Sequence, residues 1–399
     1  MTNVNIRNML GLREVVNVSG TMTGLGASIA VPEVAEAMSG ILPQFVEIND
    51  LQRKASAVIA RLTGAEAGFV TASCSAGITL AVAGCMTQDN LAAIERLPDT
   101  TGLKNEIIVQ MGHVVSYGAP VDQAIRITGA KPVLIGQATS AFEHHLEGAI
   151  NERTAAAVYV VSHHVVNYGL LELTRFAEIC HARNVPVIVD AASEYDLRGF
   201  LEAGADVVLY SGHKFLGGPT SGIVAGPKEM VRNTFLQNAG IGRGMKVGKE
   251  SIYGAMAALE AWERRDHAAI RAREKSYLDL WREALGAYGG VSAVIEADPT
   301  HNPLDRLRVT IDPTVAHITA WDLVDALARG NPPVIARDHE VEHHYFYLDP
   351  CNLHPGQEEV VAKRLGEELD KARASNEIIA TSLSDRNRRR FDTLRRWPD

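Results

Sequence analysis

The chain has 399 residues, 46% hydrophobic and 22% charged, with a formal net charge of −9. That length and apolar content support a large buried core and two domains. The acidic balance disfavours a broad nucleic-acid surface, which needs an excess of Lys and Arg. One exception is local: Arg386, Arg388, Arg389, Arg390, Arg395 and Arg396 cluster near the C-terminus, a pattern that suits a solvated or subunit-packing helix.

Cys74, Cys85, Cys180 and Cys351 form no CxxC pair and no zinc-ligand spacing, which predicts reduced thiols in a cytoplasmic protein. The N-terminal MTNVNIRNMLGLREVVN lacks a basic start followed by an apolar run, so secretion is not expected, and apolar stretches are broken before membrane-spanning length.

In chain order, near-continuous apolar runs predict strands at Gly68–Ala72, Glu106–Met111, Pro132–Ile135, Ala156–Ser162, Pro186–Asp190, Asp206–Ser211 and Gly222–Ala225. Helical periodicity falls between them at Ala76–Met86, Leu171–Arg183 and Leu197–Ala203. The alternation predicts an α/β fold with a mostly parallel seven-stranded sheet. Beyond it come one long helix, Ser251–Ala284, then strand Arg306–Ile311, helix Ala320–Ala328 and strands Val334–Ala336 and Tyr345–Leu348, which read as a smaller α+β domain. The expected division is an N-terminal segment over 1–45 packing with the small domain, a large domain over 46–260 and the small domain over 261–399.

Chemistry concentrates in Tyr210-Ser211-Gly212-His213-Lys214-Phe215-Leu216-Gly217-Gly218, where a lysine follows a buried strand and precedes a glycine turn. Removing an amine from water favours its uncharged form, the nucleophile toward an aldehyde. A lone lysine there would read as a surface residue. Asp190, however, ends the preceding strand, and an acid at that end of a buried strand sits where open α/β sheets bind ligands. Beside a pyridine nitrogen it would hold the nitrogen protonated and make the ring an electron sink. Together the two residues predict pyridoxal 5′-phosphate (PLP) carried as a Schiff base on Lys214.

In Thr71-Ala72-Ser73-Cys74-Ser75-Ala76-Gly77 a strand turns into a helix whose first N–H groups suit a phosphate. Ser75 would add a hydroxyl there or serve as a helix cap. His113, after its strand, would lie on the ring or stand as a polar strand-end residue. Asn167 would bond the phenolic oxygen of the cofactor. Ser211 and His213 would support the phosphate shell. His163 and His164 lack the matching carboxylates of a metal site, and no metal is expected.

The runs VDAASE, SGHKFLGGPTSGIVAG and GIGRGMKVGKESIYGAMAALEAW resemble the selenocysteine-synthase-like branch of fold-type I PLP enzymes, and within it the D-glucosaminate-6-phosphate ammonia-lyases and their homologues. The resemblance extends from NVSGTMTGLG to PPVIARDHEVEHHYFYLDPCNLHPGQEE. It implies Lys214 as the Schiff-base lysine, Asp190 as partner of the ring nitrogen, Ser75, Ala76 and Gly77 at the phosphate with Ser211 assisting, and His113 on the ring. It also implies Arg337 as the clamp for a substrate carboxylate, a task its planar fork suits.

Arg243, Lys246 and Lys249 would bind a phosphate or pair with acidic neighbours. The expected function is elimination of water and ammonia from a hydroxylated amino acid, D-glucosaminate 6-phosphate or a related amino sugar acid, giving a 2-oxo acid. Lys214 would take the Cα proton. The alternatives are a racemase or aldolase using the same carbanion, a selenium-transferase-like enzyme, and a PLP-binding paralogue without turnover. The acidic charge and the short approach to the catalytic region disfavour tRNA. The segment His339–His344, with its three histidines, departs from the pattern and is a candidate substrate-facing stretch. The resemblance also implies a homodimer or larger homo-oligomer.

Overall fold

The computed structural model describes residues 6–398. Its contacts divide the chain into two compact units, Ser28–Arg265 and a second built from Met1–Ala27 with Asp266–Asp399. The predicted N-terminal segment over 1–45 therefore spans both: residues 1–5 lie outside the described residues, and 28–45 belong to the larger unit.

Strands are numbered in chain order, so β1 (Val16–Val18) belongs to the smaller unit. The larger unit holds β2 (Ala67–Thr71), β3 (Glu106–Gln110), β4 (Lys131–Ile135), β5 (Thr154–Val160), β6 (Val187–Asp190), β7 (Val207–Ser211) and β8 (Gly222–Gly226). They form one seven-stranded sheet in the order β2-β8-β7-β6-β5-β3-β4. Only β8 runs against its neighbours, β2 and β7. The α/β fold and the mostly parallel sheet are as the apolar runs indicated.

Both faces are covered, which is why these strands read as continuous apolar runs rather than alternating ones. One face packs on helices α1 (Pro32–Ile41), α2 (Ile48–Thr63), α4 (Leu173–His181) and α5 (Lys249–Arg264), through Ile59, Phe176, Val187, Val189, Val208, Tyr210 and Leu259. The other packs on α3 (Cys74–Thr87) through Ile78, Ile107, Val109, Val158, Ile188, Val207 and Leu209. Helix α3 is apolar all round, as a helix under a sheet must be. Each fully buried Ile, Leu or Val contributes roughly 1.5–3 kcal/mol.

Strand parity decides where the polar ends point. In β6, Val187 and Val189 enter the first core while Ile188 enters the α3 core, so Asp190, two residues on, emerges on the α3 side. In β7, Val207 and Leu209 set the same parity for Ser211.

In the smaller unit β1 pairs in parallel with β11 (Val334–Ala336), and β9 (Val291–Ala297), β10 (Asp305–Ile311) and β12 (Tyr345–Leu348) form an antiparallel sheet ordered β12-β10-β9. Helices α6 (His267–Leu285), α7 (Ala320–Arg329) and α8 (Gln357–Ala374) supply Trp281, Leu323 and Leu365 to its core. The single long helix expected over 251–284 is two helices. Arg265 is extended, and Asp266 caps α6 by accepting from the Ala269 N–H at 2.9 Å.

Near the C-terminus, α9 (Leu383–Arg395) is anchored by Arg386, buried against Asp325 and Asp338 at 2.9 and 2.6 Å. Arg388 and Arg390 remain mostly exposed.

Candidate active site

Helix α3 begins at a tight strand-to-helix turn. Ser73 is its cap: the Ser73 hydroxyl accepts from the Ala76 N–H at 3.0 Å and its carbonyl accepts from the Gly77 N–H at 3.0 Å. The amides of Ala76 and Gly77, expected at the phosphate, are thus already engaged. Among the described residues, the amides of Cys74 and Ser75 donate to nothing. These free N–H groups open the positive end of a 14-residue helix, where an anion is favoured. The Ser75 hydroxyl lies beside them, 3.0 Å from the Tyr117 hydroxyl. The turn fits against β8 only because residue 222 is glycine: a Cβ there would stand 2.3 Å from the Ser73 carbonyl oxygen.

Asp190 is buried and reaches this turn from the strand end. Its Oδ1 accepts from the Cys74 thiol at 3.3 Å and from the Ala192 N–H at 3.1 Å, while Oδ2 accepts no hydrogen bond among the described residues. Burial pushes its carboxyl above the usual range, opposed by the Cys74 hydrogen bond, the Lys214 charge and the Ala192 N–H. The Cys74 thiol is pushed well up, first by burial and then by Asp190, so it stays an S–H donor.

Lys214 is half-buried, and its charge acts on Asp190, Cys74 and His213. Among the described residues its amine has no hydrogen-bond or ion-pair partner. The loop that carries it is tightly held. Ser28 Oγ donates to the His213 carbonyl at 2.6 Å, and Arg265 donates to the carbonyls of Phe215 and Leu216 at 2.8 and 3.0 Å. The Gly217 N–H returns to the Lys214 carbonyl at 3.0 Å, with Gly217 at φ +69°, a conformation that favours glycine. Such clamps fix the backbone and leave the amine to move.

His113 is buried, 2% exposed, and its Nδ1 accepts from the Val160 N–H at 3.2 Å. That bond leaves the ring proton on Nε2. Burial lowers its pKa to about 4, so the ring is neutral at physiological pH. Ser211 Oγ stands 3.3 Å from Nδ1 of His213, whose Nε2 is buried and unpartnered.

The remaining predicted residues lie in other settings. Asn167 is exposed. Arg243 is exposed, and Lys249 is bonded to the Gln44 carbonyl beside the Phe45 ring. His163 and His164 pair through their Nε2 atoms at 2.9 Å. In the smaller unit, Arg337 is 5% exposed, its Nε has no partner, and its guanidinium lies 5.8 Å over the Tyr347 ring. Burial lowers its pKa to about 10, with Arg306 acting in the same direction. In 339–344, Val341 is buried while His343 and His344 are exposed. Sequence reasoning missed Ser73 as the cap, Cys74 and Tyr117.

A free amine, a buried carboxylate with one oxygen unused, open amides at a helix start and a neutral buried imidazole are the complement of an aldehyde, a pyridinium nitrogen, a phosphate and an aromatic ring. These residues fit PLP. The fold and the site define a PLP-dependent enzyme of fold type I.

The chain belongs to the family described as L-seryl-tRNA selenium transferase (SelA), which it matches over residues 15–274. It is 39% identical to the D-glucosaminate-6-phosphate ammonia lyase of Salmonella typhimurium, across 92% of this chain and 99% of that one. A Streptomyces 5′-C-glycyluridine monooxygenase-decarboxylase is 35% identical across 90% and 91% of the two chains. The solved structure of a D-glucosaminate-6-phosphate ammonia-lyase superposes with a TM-score of 0.83 at 39% identity, covering 94% of this chain and all of that one.

Proposed function

We propose that this chain is an ammonia-lyase acting on a hydroxylated α-amino acid, D-glucosaminate 6-phosphate or a related amino sugar acid. The observation that carries the reading is the 39% identity to the Salmonella lyase across nearly the whole of both chains.

Bound PLP supplies an electron sink for the electron pair left when a Cα proton departs. Cys74 and Ser75 would hold its phosphate with their amides, Asp190 its ring nitrogen and His113 its face. Lys214 would anchor the cofactor and would serve as the general base for the Cα proton. The β-hydroxyl would leave as water with the proton taken from Cα, and one water would be added back as the amine leaves as ammonia. The net change for D-glucosaminate 6-phosphate is conversion to 2-keto-3-deoxy-6-phosphogluconate and ammonia.

Arg337 would take the substrate carboxylate, a role supported by its burial and its lack of a protein anion within ion-pair distance among the described residues. Arg243 and Lys249 would serve the substrate phosphate; the exposure of Arg243 leaves it open to a ligand, whereas Lys249 would first have to release Gln44. Ser211 and His213 would support the cofactor phosphate, and Asn167 its phenolic oxygen.

A homodimer or larger homo-oligomer belongs to this reading. It is supported by the exposed apolar side chains of Leu42, Phe45, Val46, Ile48 and Tyr253. No helix among the described residues is long and apolar enough to cross a membrane. A cytoplasmic location goes with the reduced cysteines.

The test is release of ammonia and 2-oxo acid from a panel of amino acids and amino sugar acids, phosphorylated and not, by PLP-loaded protein. Release from D-glucosaminate 6-phosphate, absent with Lys214→Ala, is the expected result. Inversion at Cα or release of an aldehyde without ammonia would overturn it in favour of a racemase or an aldolase.

A further inference from the structure

We propose that Cys74 is a positioning residue of the cofactor site: its thiol holds Asp190 by Oδ1, keeps that carboxylate ionised and leaves Oδ2 for the ring nitrogen. This rests on the PLP assignment, not on the choice of substrate.

The geometry is specific. Cys74 opens α3, so its N–H is one of the two free amides of the phosphate turn, while its Sγ lies 3.3 Å from Asp190 Oδ1. One residue therefore touches both the predicted phosphate end and the predicted nitrogen end of the cofactor. A phosphate turn needs only a small residue at this position. Nothing about anion binding calls for a donor on its side chain.

The need comes from Asp190. A fully buried carboxylate tends to take up a proton and become neutral, and a neutral acid cannot hold a pyridinium. The charged and titratable groups that act on it are Cys74 from α3, Lys214 from the loop after β7, and Tyr117. Lys214 cannot be a constant counter-charge, because its amine is the group that would be consumed in holding the cofactor. The Ala192 N–H and the Cys74 S–H are the fixed donors that remain. A thiol suits the post because burial and the adjacent carboxylate disfavour the thiolate, so the donor persists across the working pH range.

Cofactor affinity, read by titrating apo-protein with PLP and following the visible absorbance band, is measured from pH 5 to 9 for the wild type, Cys74→Ala and Cys74→Ser. Cys74→Ala should bind PLP about tenfold more weakly at neutral pH, the loss of one hydrogen bond to a charged group. On acidification its affinity should fail about one pH unit higher than that of the wild type, because a less supported Asp190 protonates sooner. Cys74→Ser, which restores a donor, should return the pH midpoint to the wild-type position.

A loss of affinity with no shift in the midpoint would mean packing alone and would overturn the proposal. So would a Ser variant as impaired as Ala, or an Ala variant equal to wild type. If Cys74→Ala does not fold, Cys74→Val fills the space without a donor and is read the same way. A wild type that binds no PLP would instead overturn the cofactor assignment. A wild type that binds PLP but releases no ammonia would leave this inference standing and remove the substrate reading.

Discussion

Gly222→Ala probes the predicted phosphate turn through its backbone, without removing any side chain that would contact the cofactor. The new Cβ would lie 2.3 Å from the Ser73 carbonyl oxygen, 2.4 Å from its carbonyl carbon and 2.8 Å from the Cys74 nitrogen. All three are backbone atoms, so no side chain can swing away. Real Cβ contacts stay above 3.0 Å, so the Ser73–Cys74 peptide must retreat by about 0.7 Å. That peptide carries one of the two free amides. Losing a single charge-assisted hydrogen bond costs about 1.5–3 kcal/mol, or roughly ten- to a hundredfold in PLP affinity.

The control is Gly68→Ala on β2, which pairs with β8. Its Cβ would meet Ile59 Cγ2 at 2.4 Å and the Val224 carbonyl oxygen at 2.5 Å, a comparable clash that spares the turn. Both variants should melt earlier, since overpacking costs about 1–3 kcal/mol. Only Gly222→Ala should bind PLP markedly more weakly, as read by absorbance titration with far-UV circular dichroism as the folding check. A folded Gly222→Ala with affinity within about twofold of wild type would refute the role given to the turn.

Lys214→Ala should lose the visible band of the covalently held cofactor and release PLP on dialysis; retention of the band would place the bond elsewhere. Arg337→Met should lower kcat/KM for an amino-acid substrate about ten- to a hundredfold while leaving melting unchanged or higher, because it removes a buried, unpaired charge. In the smaller unit Arg306 is buried between Asp298 and Asp349, and Arg306→Leu should destabilise that unit by about 3–5 kcal/mol in denaturant titrations followed by Trp281 and Trp321 fluorescence. Burial alone would raise both carboxyls, but Arg306 and local hydrogen bonds hold them below 3.8, so the wild-type contribution is present above about pH 4 and fades as the pH falls further. His113, with a folded pKa of about 4 against about 6.5 unfolded, contributes stability fully present above pH 6.5; about 2 kcal/mol of it should be gone at pH 5, and His113→Gln should show a shallower acid decline.

The sheet was legible because strands covered on both faces leave unbroken apolar runs, and each of the seven lies within two residues of its predicted span. Elements with weaker signatures escaped. β9 is only half-buried, with an irregular apolar pattern, and β1 is three residues long. The break between α5 and α6 was hidden because the apolar spacing continues through Arg265-Asp266 while only the cap at Asp266 marks it. Within the site, Asp190 was legible from its place at the carboxyl end of a buried strand. Ser73 and Ser75 could not be ranked, since either serine can cap a helix and the choice depends on which backbone amides it meets. The bond from Cys74 to Asp190 joins residues 116 apart and has no local signature.

Each unit also holds a buried ionisable group with an atom that no hydrogen bond among the described residues engages, Oδ2 of Asp190 and Nε of Arg337. A sequence shaped for stability alone would pair such groups or replace them with apolar ones, since an orphaned buried charge costs several kcal/mol. Their signs are opposite, and so are the charges of the groups they would take: a pyridinium nitrogen for the aspartate and a carboxylate for the arginine. Arg306 and Arg386, by contrast, are each paired with two aspartates. Under the proposed function the charge balance at Asp190 and at Arg337 would be completed by ligands, and binding would add to the stability of the fold.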